Sequence, residues 1–136
     1  MSSRRGCWEN KGIFMAKYNE NGFIEELDDD EIFVFGSNGM GAHMGGAAAT
    51  AVAKFGAIYG QAEGLQGQSY AIDAMDGFEV MAEQVERFIE FAKEHPELKF
   101  YVTEIGCGIA GYSPEEVVPL FKNEPKNVFL PKVFEF

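Results

Sequence analysis

The order of apolar and polar residues along the chain predicts strands that alternate with helices. The first strong signal is the continuous apolar run 32–35, which ends at Gly36 and is typical of a strand buried on both faces. The alanine-rich stretch 47–55 has high helix propensity, and Gly56 stands where a helix would end. The first unit is therefore predicted to be a strand, a glycine loop and a helix.

The clearest helix comes later in the chain. Its apolar residues between 81 and 92 recur at i, i+4, i+7, i+8 and i+11, which places them on one stripe, and His95-Pro96 would end it. Around this helix we expect strands at residues 69–72, 100–103 and 127–130, a surface loop over 60–67 and an edge strand over the alternating tail 133–136.

A second glycine loop, residues 106–111, precedes a short helix that is predicted to run to Lys122. Ser113 can cap this helix and Pro114 suits its first position. Glu116 would complete a capping box with the serine. The sequence thus places a helix start directly behind the second glycine loop.

Strands that alternate with helices define the α/β class and predict a three-layer α/β/α sandwich around a mainly parallel or mixed sheet. In such sheets ligands bind at the carboxyl ends of the strands. The loops 36–46 and 106–111 each directly follow a predicted strand. We therefore expect both glycine loops to open on the same edge of the sheet.

Length and composition are those of one folded domain. The chain has 136 residues, 46% of them hydrophobic, with thirteen phenylalanines, so it can bury enough apolar surface to offset the entropy of ordering. We assign residues 15–136 to a single domain and residues 1–14 to a polar N-terminal extension.

Charge narrows the choice of partners. The chain carries 22 acidic and 11 basic side chains, a net charge of -11, which disfavours nucleic acids and anionic membranes as partners. Backbone N–H groups can still hold an anion locally without basic side chains. The sequence has no apolar run of membrane-spanning length and no signal-peptide pattern, so a cytoplasmic location is expected. Cys7 and Cys107 do not suggest a disulfide framework.

The first glycine loop has the features of a phosphate-binding loop. Five glycines between Gly36 and Gly46 allow positive φ angles and close approach of a ligand, and the loop ends at a helix N-terminus, which favours an anion. The alternative is a loop whose glycines only permit tight packing. The dinucleotide fingerprint does not fit, because Gly45 follows the Gly39-Met40-Gly41 triplet at the wrong spacing.

The second glycine loop, Gly106-Cys107-Gly108-Ile109-Ala110-Gly111, is followed by Tyr112. The tyrosine could stack on a ribose or a base while the glycine N–H groups face phosphate oxygens. The alternative is a plain connection between strand and helix with a packed tyrosine.

These two loops resemble those of the macro domain superfamily, the ADP-ribose-binding modules. Ser37-Asn38 through Gly45-Gly46-Ala47 is similar to the first loop of that family, and Ile105 to Tyr112 is similar to its second phosphate loop. The resemblance implies a macro-like fold and a nucleotide of the ADP-ribose type as a small-molecule partner.

The resemblance also implies a role for each loop. Asn38 would face the distal ribose and Gly45 and Gly46 the diphosphate. Gly106 to Gly111 would face the phosphates from the other side, with Tyr112 near the distal ribose. The residues expected to bind the ligand are Gly36, Ser37, Asn38, Gly45, Gly46, Ala47, Gly106, Cys107, Gly108, Ile109, Ala110, Gly111 and Tyr112.

Two alternative functions remain open from the sequence. A hydrolase of an ADP-ribosyl bond would have to activate water, and Asn38, His43 and Asp73 are the candidate catalytic groups. His43 is more typical of an exposed loop histidine than of a catalytic group, and Cys107 is more typical of a small buried side chain than of a nucleophile. The other alternative is a structural or interaction protein that kept the fold without the ligand. Neither a metal nor a cofactor is predicted, and the oligomeric state is not assigned.

Overall fold

The structure, a computed structural model, describes residues 18, 19, 23–43, 45–108 and 110–134. Five strands in these ranges form one mixed sheet in the order β2-β3-β1-β4-β5. They are β1 (Glu31–Ser37), β2 (Gly64–Gln66), β3 (Ser69–Asp73), β4 (Lys99–Val102) and β5 (Val128–Phe129). The central strand β1 runs parallel to β3 and β4, β5 runs parallel to β4, and only β2 is antiparallel to its neighbour.

Three α-helices in the described part of the chain connect the strands. They are α1 (Gly46–Lys54), α2 (Phe78–Glu94) and α3 (Pro114–Val117); a 3₁₀ turn, Val118–Phe121, continues α3, and another, Lys132–Phe134, follows β5. The apolar stripe of α2 is buried against the sheet as its spacing predicts. None of the helices in the described ranges is long and apolar enough to span a bilayer.

The core fills both faces of the sheet. Successive residues of a strand point to opposite faces, so Ile32 and Val34 of β1 pack with the stripe of α2, whereas Phe33 and Phe35 pack with α1. Val117 of α3 lies in the same cluster as α2. The described chain thus has helices on both faces of a mixed sheet, which confirms the predicted α/β class.

Two predicted segments differ in the structure. The stretch 60–67, expected to be a surface loop, contains the edge strand β2, which returns to β3 through a turn at Gly67-Gln68. The tail predicted as an edge strand instead starts with a 3₁₀ turn, because Phe134 N donates to Pro131 O at 2.9 Å and its buried ring stacks on Phe121. Residues 135–136 and the predicted extension 1–14 lie outside the described residues.

Candidate functional site

The two glycine loops meet at the carboxyl end of β1. A Cβ placed on Gly36 would lie 3.6 Å from Ala74 Cβ after β3, and 3.7 Å and 3.9 Å from Ile105 Cγ2 and Gly106 N after β4. After β1 the chain continues to α1 on one face of the sheet. After β3 and β4 it continues to α2 and α3 on the other face. A change of direction of this kind opens a crevice at the carboxyl edge, where α/β proteins bind ligands.

The first half of the first glycine loop is fixed by its own contacts. Asn38 Oδ1 accepts from Met40 N at 3.1 Å and from Ala42 N at 3.0 Å, and Asn38 Nδ2 donates to Ala42 O at 3.2 Å. Gly41 has a φ of 67°, and a Cβ there would lie 2.5 Å from Gly60 C. The amide of Asn38 therefore builds the loop, which leaves one amide hydrogen for the ribose that the macro-domain resemblance assigns to it.

Ser37 and Gly36 also make contacts within the fold. The hydroxyl of Ser37 is buried and donates to Ala62 O. Gly36 is half-buried beneath the loops that follow β3 and β4. These two residues join the loops together, and the open surface lies further along the first loop.

The second half of the first loop is open. Gly45 and Gly46 are exposed, and a Cβ on either would meet nothing within 4 Å. Gly45 is the N-cap of α1 without a side-chain cap, and the first turn, which includes the half-buried Ala47, holds no acidic residue. The first amides of a helix have no partner within it. The start of this nine-residue helix therefore presents N–H donors and a positive dipole end, with no carboxylate in its first turn.

His43 is fully buried, so the expectation of an exposed loop histidine is wrong. Its ring packs edge-on against Phe35, with ring centroids 5.0 Å apart, and stacks on Tyr59 at 6.0 Å. Nε2 lies 3.2 Å from Gln66 Oε1, which only accepts, so Nε2 carries the proton. Nδ1 has no hydrogen-bond partner among the described residues. The ring supports the loop from inside the fold.

The side chain of Gln66 makes four hydrogen bonds behind the first loop, and the sequence does not predict this role. Its Oε1 accepts from Ile58 N at 2.7 Å as well as from His43, and its Nε2 donates to Gln61 O at 3.1 Å and to Gly64 O at 3.3 Å. Gln66 is the last residue of β2, and this position puts its side chain within hydrogen-bonding distance of all three backbone groups. The dipeptide Gly67-Gln68, which forms the turn after β2, is the feature of the sequence that could have indicated this strand.

The second glycine loop is folded against the protein. Gly106 has a φ of 79°, and its carbonyl accepts from Tyr112 N at 2.9 Å. The half-buried ring of Tyr112 packs edge-on against Phe78, with centroids 5.4 Å apart. Gly108 and Gly111 are exposed with open space around them. Gly111 N donates to Gly108 O at 3.0 Å within the loop, while the tyrosine packs with α2.

The helix behind the second loop is already capped. Ser113 Oγ accepts from Glu116 N at 3.3 Å, and Glu116 Oε1 accepts from Ser113 N at 2.8 Å. Pro114 has no N–H to offer. The predicted capping box is confirmed, and it uses the donors that an anion would otherwise contact.

Cys107 is half-buried in the second loop. Burial, together with the carboxylates of Glu104 and Glu116, raises the pKa of its thiol to about 11. The thiol is therefore protonated at neutral pH, which counts against a nucleophilic role. The neighbouring Ala110 is half-buried, and Ile109 lies outside the described residues.

An acidic pair stands beside the first glycine loop. Asp73, at the end of β3, is buried, and its Oδ1 accepts from Met75 N at 2.9 Å. Burial raises the pKa of Asp73, and hydrogen bonding with Asp76 raises it further. The carboxylate of Asp76 lies against Gly39, where a Cβ would clash with it. Among the described residues, no three His, Cys, Asp or Glu side chains gather as metal ligands.

An open groove of about 530 Å³ lies along the second half of α2, which points away from the carboxyl edge of the sheet. It is lined by Tyr70, Glu86, Arg87, Glu90, Phe91 and Glu94. Three of these six side chains are glutamates, and Arg87 pairs with Glu63 at 2.8 Å. An anionic ligand is therefore better placed at the glycine loops than in this groove.

Comparisons of the chain with protein-family models, with curated proteins and with solved structures find no match.

Proposed function

We propose that this protein binds a phosphate-bearing nucleotide of the ADP-ribose type at the carboxyl edge of its sheet. The observation that carries the proposal is the start of α1, where Gly45 and Gly46 are exposed and no side chain in the described ranges caps the helix. A helix N-terminus of this kind holds phosphate through backbone N–H groups. Binding then needs no basic side chains, which agrees with a net charge of -11.

The ligand class comes from the motifs. Macro domains are the proteins that the two loops, 37–47 and 105–112, resemble, and ADP-ribose is the ligand of that family. Both loops lie at one edge of the sheet, and Gly36, where the first loop begins, is within contact distance of Ile105 and Gly106, where the second begins. We assign the diphosphate to Gly45 and Gly46, with Gly108 and Gly111 facing it across the crevice.

Calorimetric titration with ADP-ribose, ADP, NAD and AMP tests the proposal. We expect ADP-ribose to bind, and Gly45→Glu to abolish its binding because a carboxylate would then stand where the phosphate belongs. The substituted side chain enters open space at a φ of −148°, so the variant should fold normally. Absence of binding across the panel would refute the proposal and favour a structural or interaction role.

The acidic pair favours hydrolysis of an ADP-ribosyl bond as a second function. A raised pKa makes a carboxyl group a better proton donor to a leaving group, and burial and the hydrogen bond with Asp76 raise the pKa of Asp73 beside the first loop. Asn38 and His43, the other two candidates, are engaged in the loop and in the core. Asp73 is therefore the group to which we assign proton transfer.

Turnover of an ADP-ribosyl ester by Asp73→Asn tests this assignment. We expect the rate to fall by about 100-fold or more, as for loss of a general acid, with ADP-ribose affinity unchanged. Full turnover by the variant, or no turnover by the wild type, would leave binding as the function.

A further inference from the structure

Tyr59 is an exposed aromatic ring with a buried ring behind it. Its side chain is 60% exposed, yet one face stacks on the fully buried His43, with centroids 6.0 Å apart and planes inclined by 27°. His43 is in turn held edge-on against Phe35 of β1. The opposite face of Tyr59 is therefore directed to solvent while its inner face rests on the core.

The backbone on both sides of Tyr59 is also fixed. Ile58 N donates to Gln66 Oε1 at 2.7 Å, and Gly60 N donates to Gly41 O at 2.9 Å. A surface tyrosine usually has freedom to rotate, which a ligand must remove on binding. Here the fold has already oriented the ring, so stacking on it costs little ordering.

The ring packs on a residue of the loop that leads to the open start of α1. The histidine that backs it lies two residues before Gly45, so their Cα atoms are at most about 7.6 Å apart. Gly41 accepts from Gly60 N at 2.9 Å, which joins the segment that carries Tyr59 to the first loop. A nucleotide with its phosphate at Gly45 and Gly46 thus has an exposed aromatic ring packed on the same loop.

We infer that Tyr59 is the platform on which the base of the bound nucleotide stacks, an inference that rests on the proposed function. Tyr112, which the sequence offers as a residue to stack on a ribose or a base, packs edge-on against Phe78. Stacking on an aromatic face needs no charge, and it suits an acidic protein that binds phosphate through backbone groups. The buried ring of His43 then supports the ring of Tyr59 by stacking against it.

The test compares ligands with and without a base. ADP-ribose, AMP and ribose 5-phosphate are titrated into the wild type and into Tyr59→Ala, Tyr59→Phe and Tyr59→Trp. We expect Tyr59→Ala to weaken ADP-ribose and AMP about tenfold, as for loss of one base–aromatic stack, and to leave ribose 5-phosphate unchanged. The phenylalanine and tryptophan variants should keep the wild-type affinities. Phe23→Ala, which removes a ring that is 67% exposed, is the matched control.

The outcomes separate this inference from the proposed function. Equal loss for all three ligands, or no loss for any, would overturn the platform while ADP-ribose binding that Gly45→Glu abolishes would still support the proposed function. A base-dependent loss in Phe78→Ala and not in Tyr59→Ala would place the base at the second loop and overturn the inference. A wild type that binds none of the ligands would overturn both.

Discussion

The two glycine loops leave neighbouring strands at the same edge of the sheet, but they end on different kinds of helix. The first leads into α1, nine residues long, through Gly45, which provides no side-chain cap. The second leads into α3, four residues long, through the capping box of Ser113 and Glu116. The comparison teaches that glycine content alone does not identify an anion site, because the donors must also be free of an internal acceptor.

The loops also differ in what surrounds their glycines of positive φ. A Cβ on Gly41 would meet backbone atoms, at 2.5 Å from Gly60 C and 2.6 Å from Gln61 N. A Cβ on Gly106 would meet side chains, at 3.0 Å from Met81 Sδ and 3.2 Å from Tyr112 Cδ2. Side chains can move aside more cheaply than backbone, so the first loop should be the less tolerant of substitution.

The largest expected effect is on stability. Gly41→Ala combines left-handed strain of about 1–2 kcal/mol with overpacking of about 1–3 kcal/mol, and should lower the free energy of unfolding by about 2–5 kcal/mol. Gly106→Ala carries the same strain at a similar φ but meets movable side chains, and should cost about 1–2 kcal/mol. Chemical denaturation measures both. Equal losses would show that the two loops are equally constrained.

The next effect is on affinity. Gly45 and Gly108 are both exposed, both lie in open space and neither has a positive φ, so a glutamate at either should be tolerated by the fold. Gly45→Glu should weaken ADP-ribose by about 100-fold or more through charge repulsion, and Gly108→Glu by only about threefold. Calorimetry gives both values. A greater loss for Gly108→Glu would reverse the roles of the loops.

Removal of the cap of α3 should have a smaller effect. Ser113→Ala loses the side-chain acceptor for Glu116 N and should destabilise the protein by about 1 kcal/mol in chemical denaturation. Its affinity for ADP-ribose should stay within about twofold of the wild type, since we place no phosphate at this helix. A large loss of affinity in this variant would indicate that the second loop carries the phosphate.

The smallest effect concerns the acidic pair beside the first loop. Because burial and Asp76 raise the pKa of Asp73 above its usual 3.8, loss of its proton weakens the fold. This penalty is absent below the usual pKa and develops as the pH rises through the raised pKa. Asp73→Asn should therefore match the wild type below about pH 4 and exceed its stability at neutral pH. Unfolding free energies that differ by a constant amount across this range would contradict the raised pKa.

Features set by neighbouring residues could be predicted from the sequence. The apolar run of β1, the stripe of α2 and the capping box of Ser113 and Glu116 are local patterns, and all three are confirmed. The glycine loops could be placed at one edge because parallel strands leave no other choice. These elements fix the position of the candidate site.

Features set by tertiary contacts could not be predicted in the same way. His43 looks like a loop residue in the sequence, and its burial depends on Phe35, Tyr59 and Gln66, which are brought to it only by the fold. The strand β2 has three residues and a single turn signal, too short for a periodic pattern.

Amide chemical shifts during a titration with ADP-ribose test the central claim most directly. A ¹H–¹⁵N spectrum of the labelled protein resolves each backbone N–H, so it locates the phosphate without any substitution. We predict that the largest shifts fall on Gly45, Gly46 and Ala47, with smaller ones at Gly108 and Gly111. Shifts confined to the groove beside α2, or no shifts at saturating ligand, would contradict the claim that the uncapped helix start is the phosphate site.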